Sequence, residues 1–385
     1  MNPSPIKSST SRVIQRDAAV RLSMVSGIGP RLYGELVEHF GSAELALAAS
    51  PAELRSIPGV GQKLMRALVN ANEEIDVAPV LDQCKDNNIQ VLDRGHDDYP
   101  PLLTKIHDPP GVMFCRGALQ TSDQLGIAIV GTRHSTRYGD RVATSLARGL
   151  SMAGLTIISG MARGIDAAAH KAALECGGRT IAVLGGGVMN IYPPEHKSLA
   201  DAIAANGAVV SEALPLQAPR SGCFPRRNRI VTGMSLGVIV VEAGDRSGAL
   251  ISARLAAEQG RDVFAVPGRI DSRMSRGCHR LISDGATLVE SVGDVLDQLG
   301  PLIEPLKLNV ASADGKQTET VRHPAELQLS DQERQILNCI ETSPTEFDLI
   351  VEITQLPPAR ILATISVLEI RRLIRRLSST SFARL

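Results

Sequence analysis

Between residues 126 and 285 the chain alternates short apolar runs with longer stretches of helical patterning. The runs sit in GIAIVGTRHSTRYG, TIISGMARGIDAAAH, TIAVLGGGVMNIYPPEH, VVSEALP, GVIVVEAGDRSGALISA and DVFAVPG. Most end in Gly, Ser or Glu and lead into polar or positive residues. This alternation predicts a parallel sheet with crossover helices, an α/β fold. In such sheets ligands bind beyond the carboxyl ends of the strands. Those ends carry Arg133, Arg137, Arg163, Arg226, Arg227 and Arg229, so a cleft there suits a polyanion.

The flanks follow other patterns. Residues 13–75 read as helical and contain two similar segments, VSGIGPRLYGELVEHFG and SIPGVGQKLMRALVNA. Their turns, Gly27-Ile28-Gly29 and Gly59-Val60-Gly61, are 32 residues apart and resemble a helix-hairpin-helix pair. That motif turns backbone N–H groups toward a phosphate, with Arg31 and Lys63 just behind; packing or protein contact is the other role open to it. Residues 76–118 hold two Pro pairs and predict an extended or turn-rich connector rather than helix. Residues 1–12 are rich in Ser and Pro and predict disorder. Residues 301–325 lose periodicity and predict a linker. Residues 326–385 regain it, with Ser330 and Glu333 spaced as a capping box. Three short helices followed by RRLIRRLSSTSFARL resemble a winged helix, a module for DNA or for protein contact.

Composition narrows the function. Lys plus Arg and Asp plus Glu are 41 each, so anion binding must come from local clustering rather than global charge. The cysteines (Cys84, Cys115, Cys176, Cys223, Cys278, Cys339) are scattered without a CxxC pair, which argues against a zinc site or a disulfide framework and for reduced thiols. No apolar stretch approaches the roughly 20 residues of a membrane span, and the N-terminus lacks an apolar signal core. A cytoplasmic protein without membrane contact, metal or cofactor is expected. With six Phe, four Tyr and no Trp, many base-stacking platforms are not available.

The chemistry concentrates at the strand ends. Gly131 permits a tight turn, Thr132 is placed to cap the next helix, and Arg133 projects over the strand end. GTRHSTRYG is not GxGxxG, so a dinucleotide site is poorly supported. Asp166 and His170 are spaced i,i+4, open either to acid–base work or to structural hydrogen bonds. The three glycines of LGGG suit close approach of a phosphate. RSGCFPRRNRIVTG is the most specific segment. Pro225 suits a first helical turn, guanidinium forks suit phosphate oxygens, and Asn228 suits a base edge. Phe224 is either a stacking platform or core. Arg226, Arg227 and Arg229 cannot share one helix face, so one is expected in the cleft and another against an acid. Ser247 and Gly248 open a helix whose free N–H groups suit phosphate, and Glu242 is placed to neutralise an arginine.

These segments, in this order, resemble the DNA processing protein A family (DprA, also called Smf). The resemblance spans about residues 97–298 and is sharpest at FPRRNRI. The chain departs from the family pattern at His279, where Asn is usual, and at Arg372, where Gly is usual. The resemblance implies an extended Rossmann-like core at 97–300, a helix-hairpin-helix/SAM-like helical domain at 13–75 and a winged-helix-like domain at 326–385. It implies single-stranded DNA binding, loading of the recombinase RecA during natural transformation, and a homodimer. It assigns Arg133 and Phe224 to the strand, with Arg220 the nearest basic residue before that Phe. The full expected DNA-binding set is Gly131, Arg133, Arg137, Arg163, Arg220, Phe224, Arg226, Arg227, Asn228, Arg229, Ser247 and Gly248, with no catalytic residue. Two rivals remain: a nucleotide-binding hydrolase on the same fold, and a scaffold that has lost its ligand. The apolar face of SVGDVLDQLG serves either self-association or packing on its own sheet.

Overall fold

A computed structural model describes residues 9–300, 302–303, 331–340, 345–354, 356–370, 373–378 and 381–384. The chain forms two compact units, Met1–Gly315 and Lys316–Leu385. The expected linker, Ser330, Arg371 and Arg372 lie outside the described residues, apart from positions 302–303.

The first unit is built on one nine-stranded sheet. Its strands are β1 (Ile89–Asp93), β2 (Val112–Gly117), β3 (Gly126–Val130), β4 (Thr156–Ser159), β5 (Thr180–Val183), β6 (Ala208–Ser211), β7 (Gly237–Val240), β8 (Asp262–Ala265) and β9 (Thr287–Leu288). Across the sheet they run β1-β2-β6-β5-β4-β3-β7-β8-β9. Strands β3 to β9 pair in parallel, and β1 and β2 add to the β6 edge antiparallel. Every residue of β3 to β7 is buried. Crossover helices cover both faces of such a strand, which is why these segments read as continuous apolar runs instead of alternating ones.

The strand order reverses at β3. From there the chain builds β4, β5 and β6 outward on one side, then crosses back to place β7, β8 and β9 on the other. Val130 pairs with Val240, so the carboxyl ends of β3 and β7 lie side by side at the reversal, where a crevice opens.

One expectation needs correction, and one open alternative resolves toward packing. The segment 76–118 is not a plain connector, because it forms the helix Ala78–Asp86 and both antiparallel strands. Its Pro pairs fall between these elements and do not interrupt them. The amphipathic SVGDVLDQLG stretch packs on its own unit: Val295 and Leu299 are fully buried, and Val292 lies against Gly149 of the helix Arg137–Met152.

The N-terminal helices include Ser9–Met24, Pro30–Phe40 and Gln62–Val69. Gly27 (φ +97°) and Gly59 (φ +88°) make the two hairpin turns in the left-handed region that glycine tolerates. These helices share a hydrophobic core with the sheet, in which Leu36 and Leu68 join Phe114 and Val209. Polar contacts reinforce the junction. Arg94 Nη2 donates to Pro109 O at 2.5 Å and to Pro30 O at 3.4 Å, and its guanidinium lies 5.5 Å from the centre of the Tyr33 ring.

The second unit has the helices Asp331–Asn338, Phe347–Thr354 and Pro358–Ile370. Its three-stranded sheet consists of β10 (Thr345–Glu346), β11 (Ile374–Arg376) and β12 (Ser381–Arg384), in the order β10-β12-β11. Ile336, Ile350, Ile361, Ile365 and Phe382 form its core. This is a winged helix, with β11 and β12 as the wing.

Candidate nucleic-acid interface

The crevice at the β3/β7 reversal is a cleft of about 640 Å³. Loops after three strands line it: Gly131, Thr132, Arg133 and His134 after β3, Gly160 and Ala162 after β4, and Gly244 to Gly248 after β7. The helix Cys223–Gly233 closes it with Phe224, Pro225, Arg227 and Asn228.

Two of the loops are interlocked. Gly164 adopts φ +72°, and a Cβ there would strike the backbone of Thr132 and Arg133. Only glycine lets the β4 loop seat against the β3 loop and so fix where Arg133 emerges. Arg133 is exposed, and its guanidinium carbon lies 5.2 Å from the centre of the Phe224 ring. Tyr192, 44% exposed, approaches the same ring at 5.8 Å with a 48° tilt. A cation on an aromatic face, with a second ring beside it, can take both the flat face of a base and its phosphate.

The other arginines take different roles. Arg227 is buried and donates to the carbonyls of Gly160 and Val183, and at 3.2 Å to Asn228 Oδ1. Burial lowers its pKa to about 10, opposed by the nearby Asp166 carboxylate. Arg227 therefore ties the cleft helix to the β4 and β5 ends. Arg229 is only 5% exposed and faces away from the cleft, bonded to Glu212 and, at 3.1 Å, to Asp108. Arg226 is 60% exposed and lies 3.9 Å from Glu212. Arg163 is exposed and paired to Glu195 at 2.5 Å. Arg137 and Arg220 are exposed as well. Arg137, Arg163, Arg220 and Arg226 do not line the cleft. Ser247 and Gly248 line it, with the Ser247 hydroxyl already accepting from Ala249 N at 3.3 Å.

Several local readings change. Glu242 does not neutralise an arginine; it is buried and accepts from Thr136 N (2.9 Å) and Thr136 Oγ1 (2.6 Å). The helix cap is Thr136, not Thr132, because the loop runs four residues further before the helix begins at Arg137. Asp166 and His170 do not pair. Asp166 accepts from Gly160 N and Ala162 N, each at 3.2 Å, and burial raises its pKa. Thr180 Oγ1 donates to Ile157 O at 2.7 Å, so the neutral His170 ring donates through Nδ1 to that hydroxyl, also at 2.7 Å. Burial, with Arg227 and His196 nearby, lowers the His170 pKa to about 3. The sequence reading missed His134 and Arg246, both exposed and lining the cleft. Their positions in the polar loops that follow β3 and β7 were the available signal. Among the described residues no cluster of three or more His, Cys, Asp or Glu is arranged to hold a metal ion, and no helix is long and apolar enough to cross a membrane.

The architecture is a Rossmann-like α/β core with helix-hairpin-helix and winged-helix regions. Family models match all three: DNA recombination-mediator protein A over residues 90–300, a DprA winged helix domain over 320–379, and a SAM-like helix-hairpin-helix tandem over 20–72. Protein Smf of Synechocystis sp. is 36% identical over 378 residues, covering 91% of this chain and 94% of that one. The X-ray structure of DNA processing protein A from Streptococcus pneumoniae superposes with a TM-score of 0.66 at 35% identity, covering 73% of this chain and 97% of that one. DNA processing protein A from Helicobacter pylori, described as having a unique single-stranded DNA binding mode, superposes at 0.50 with 32% identity, covering 55% of this chain and 96% of that one. The chain belongs to the DprA/Smf family of DNA recombination-mediator proteins.

Proposed function

We propose that the β3/β7 cleft holds single-stranded DNA without regard to base sequence, and that the protein presents the strand to a recombinase of the RecA type. The observation that carries this reading is the exposed Arg133 guanidinium on the Phe224 ring at the mouth of a strand-end cleft. The aromatic face takes any base, and the guanidinium takes any phosphate, so neither contact depends on sequence. The H. pylori relative supports the ligand assignment. A mediator must hold the strand and the recombinase at once, so recombinase contact belongs on a face other than the cleft. Pairing of two copies would place two clefts on one strand and raise the effective concentration.

The hydrolase reading loses the Asp166/His170 pair as its acid–base machinery. His170 is sealed inside, and Asp166 is held by backbone N–H groups. No nucleotide turnover is expected.

The test is titration of a fluorescent oligothymidylate followed by anisotropy. Arg133→Glu is expected to weaken binding at least about 30-fold, because attraction becomes repulsion in a partly desolvated cleft. Retained affinity in a folded Arg133→Glu protein would place the strand elsewhere.

A further inference from the structure

The first turn of the helix Cys223–Gly233 has two sides. Phe224 faces the main cleft. On the other side lies a second cavity of about 230 Å³, which Cys223 and Arg226 line together with Gly185 and Gln217 of the core and Ile28 and Gly29 of the first N-terminal hairpin. Arg227 lines both cavities, so the two are neighbours across one helical turn. Gly185 keeps the division thin: a Cβ there would press on the Phe224 ring at 3.2 Å.

The charge balance in the second cavity is positive. Glu212 is its one lining acid, and that carboxylate is already taken by the buried Arg229. Arg226 is left 60% exposed, with only a 3.9 Å approach to Glu212. The volume falls below the roughly 300 Å³ at which small-molecule pockets begin. It suits a phosphate group better than a nucleotide.

We propose that this cavity is a second subsite for the single strand: it takes a backbone phosphate on Arg226 after the strand has passed Phe224. The first hairpin thereby becomes a wall of the DNA path. The second hairpin does not, because Gly59 and Gly61 line neither cavity. The inference rests on the single-strand reading of the main cleft and adds length to its footprint.

Gly29 offers a clean test. It has ordinary extended backbone, φ −97° and ψ 172°, and a side chain there meets nothing within 4 Å. It caps the helix Pro30–Phe40 without a side-chain bond, and Asp is a preferred residue at such a cap, so Gly29→Asp keeps the helix while adding a negative charge to the cavity wall. Gly61→Asp is the matched control, a cap with equally open surroundings on the second hairpin. Both proteins are titrated with oligothymidylates of about 5 and about 20 nucleotides, one near the short end and one beyond the long end of the roughly 4–16-nucleotide footprint of a single-strand groove.

Gly29→Asp is expected to weaken binding of the longer strand about tenfold, to leave the shorter one within about twofold, and to flatten the salt slope by about 0.7, the value of one phosphate. Gly61→Asp is expected to change neither strand. Arg226→Gln should reproduce the length dependence. Undiminished binding of the longer strand by Gly29→Asp would overturn the subsite, as would an equal loss at both lengths or an equal loss in Gly61→Asp. In those cases a loss in Arg133→Glu still upholds the main cleft, so the two readings fail separately.

Discussion

His170 shows how a residue with catalytic chemistry can be wholly structural. It is buried, neutral and bonded to Thr180, with its pKa lowered to about 3 from the ordinary 6.5. The unfolded chain takes up a proton near pH 6.5 and the folded chain does not. Stability is therefore full above that pH and falls as pH drops from 6.5 toward 3, by about 1.4 kcal/mol per pH unit. Urea unfolding at pH 7 and pH 5 should show the native protein losing about 2 kcal/mol more than His170→Asn between the two conditions. Equal losses would mean that the ring accepts its proton without unfolding. Asp166 four residues earlier was a plausible partner by helical spacing alone. The β4 loop intercepts it, because backbone N–H groups at Gly160 and Ala162 come to its carboxylate first.

The helix Cys223–Gly233 carries two arginines three residues apart with opposite duties. Arg229 is enclosed and bonded to Glu212 and Asp108, whereas Arg226 projects to solvent. Arg229→Ala should destabilise the protein by about 3 kcal/mol, because it strips two carboxylates of their buried counter-charge. Arg226→Ala should stay within about 0.5 kcal/mol. Urea midpoints check both, and a mild Arg229→Ala would show that water replaces the guanidinium there. Helix periodicity could not separate these residues, since positions three apart share a face. What separates them is the chain that follows residue 100: Leu103 and Ile106 press on Gly233 at the far end of the helix, and Asp108 reaches Arg229. That covering comes from a segment over 100 residues away in sequence. The central strands, by contrast, were readable, because burial on both faces leaves an unbroken apolar run. Strands β1 and β2 were hidden by the prolines around them. At the candidate site, the positions of Arg133 and Phe224 followed from their motifs. The inward turn of Arg227 did not, because it depends on carbonyls at the ends of two other strands.

Across the whole sequence positive charge is balanced by negative charge, so the proposed attraction to nucleic acid rests on local clustering rather than on net charge. The proposed binding should then be only moderately sensitive to salt. A contact with about three phosphates gives a log–log slope near −2 for single strands. A duplex should compete poorly, because its bases are stacked inward and none can reach Phe224 without leaving its partner. Competition between labelled single strand and unlabelled duplex at several salt concentrations measures both quantities. Equal competition, or a slope as steep as about −7, would indicate a broad electrostatic surface instead of a cleft.

The chain contains no tryptophan, and Phe224 lies against Arg133 on one approach and Tyr192 on another. Phe224→Trp would therefore give the protein a single indole, placed on the surface where a base is proposed to land. Excited to the red of tyrosine absorption, its emission would be an optical signal free of the four tyrosines. A base stacking on that ring would quench it directly, so strand entry could be followed in real time on an unlabelled oligonucleotide. The scarcity of aromatic residues thus makes the site unusually easy to watch.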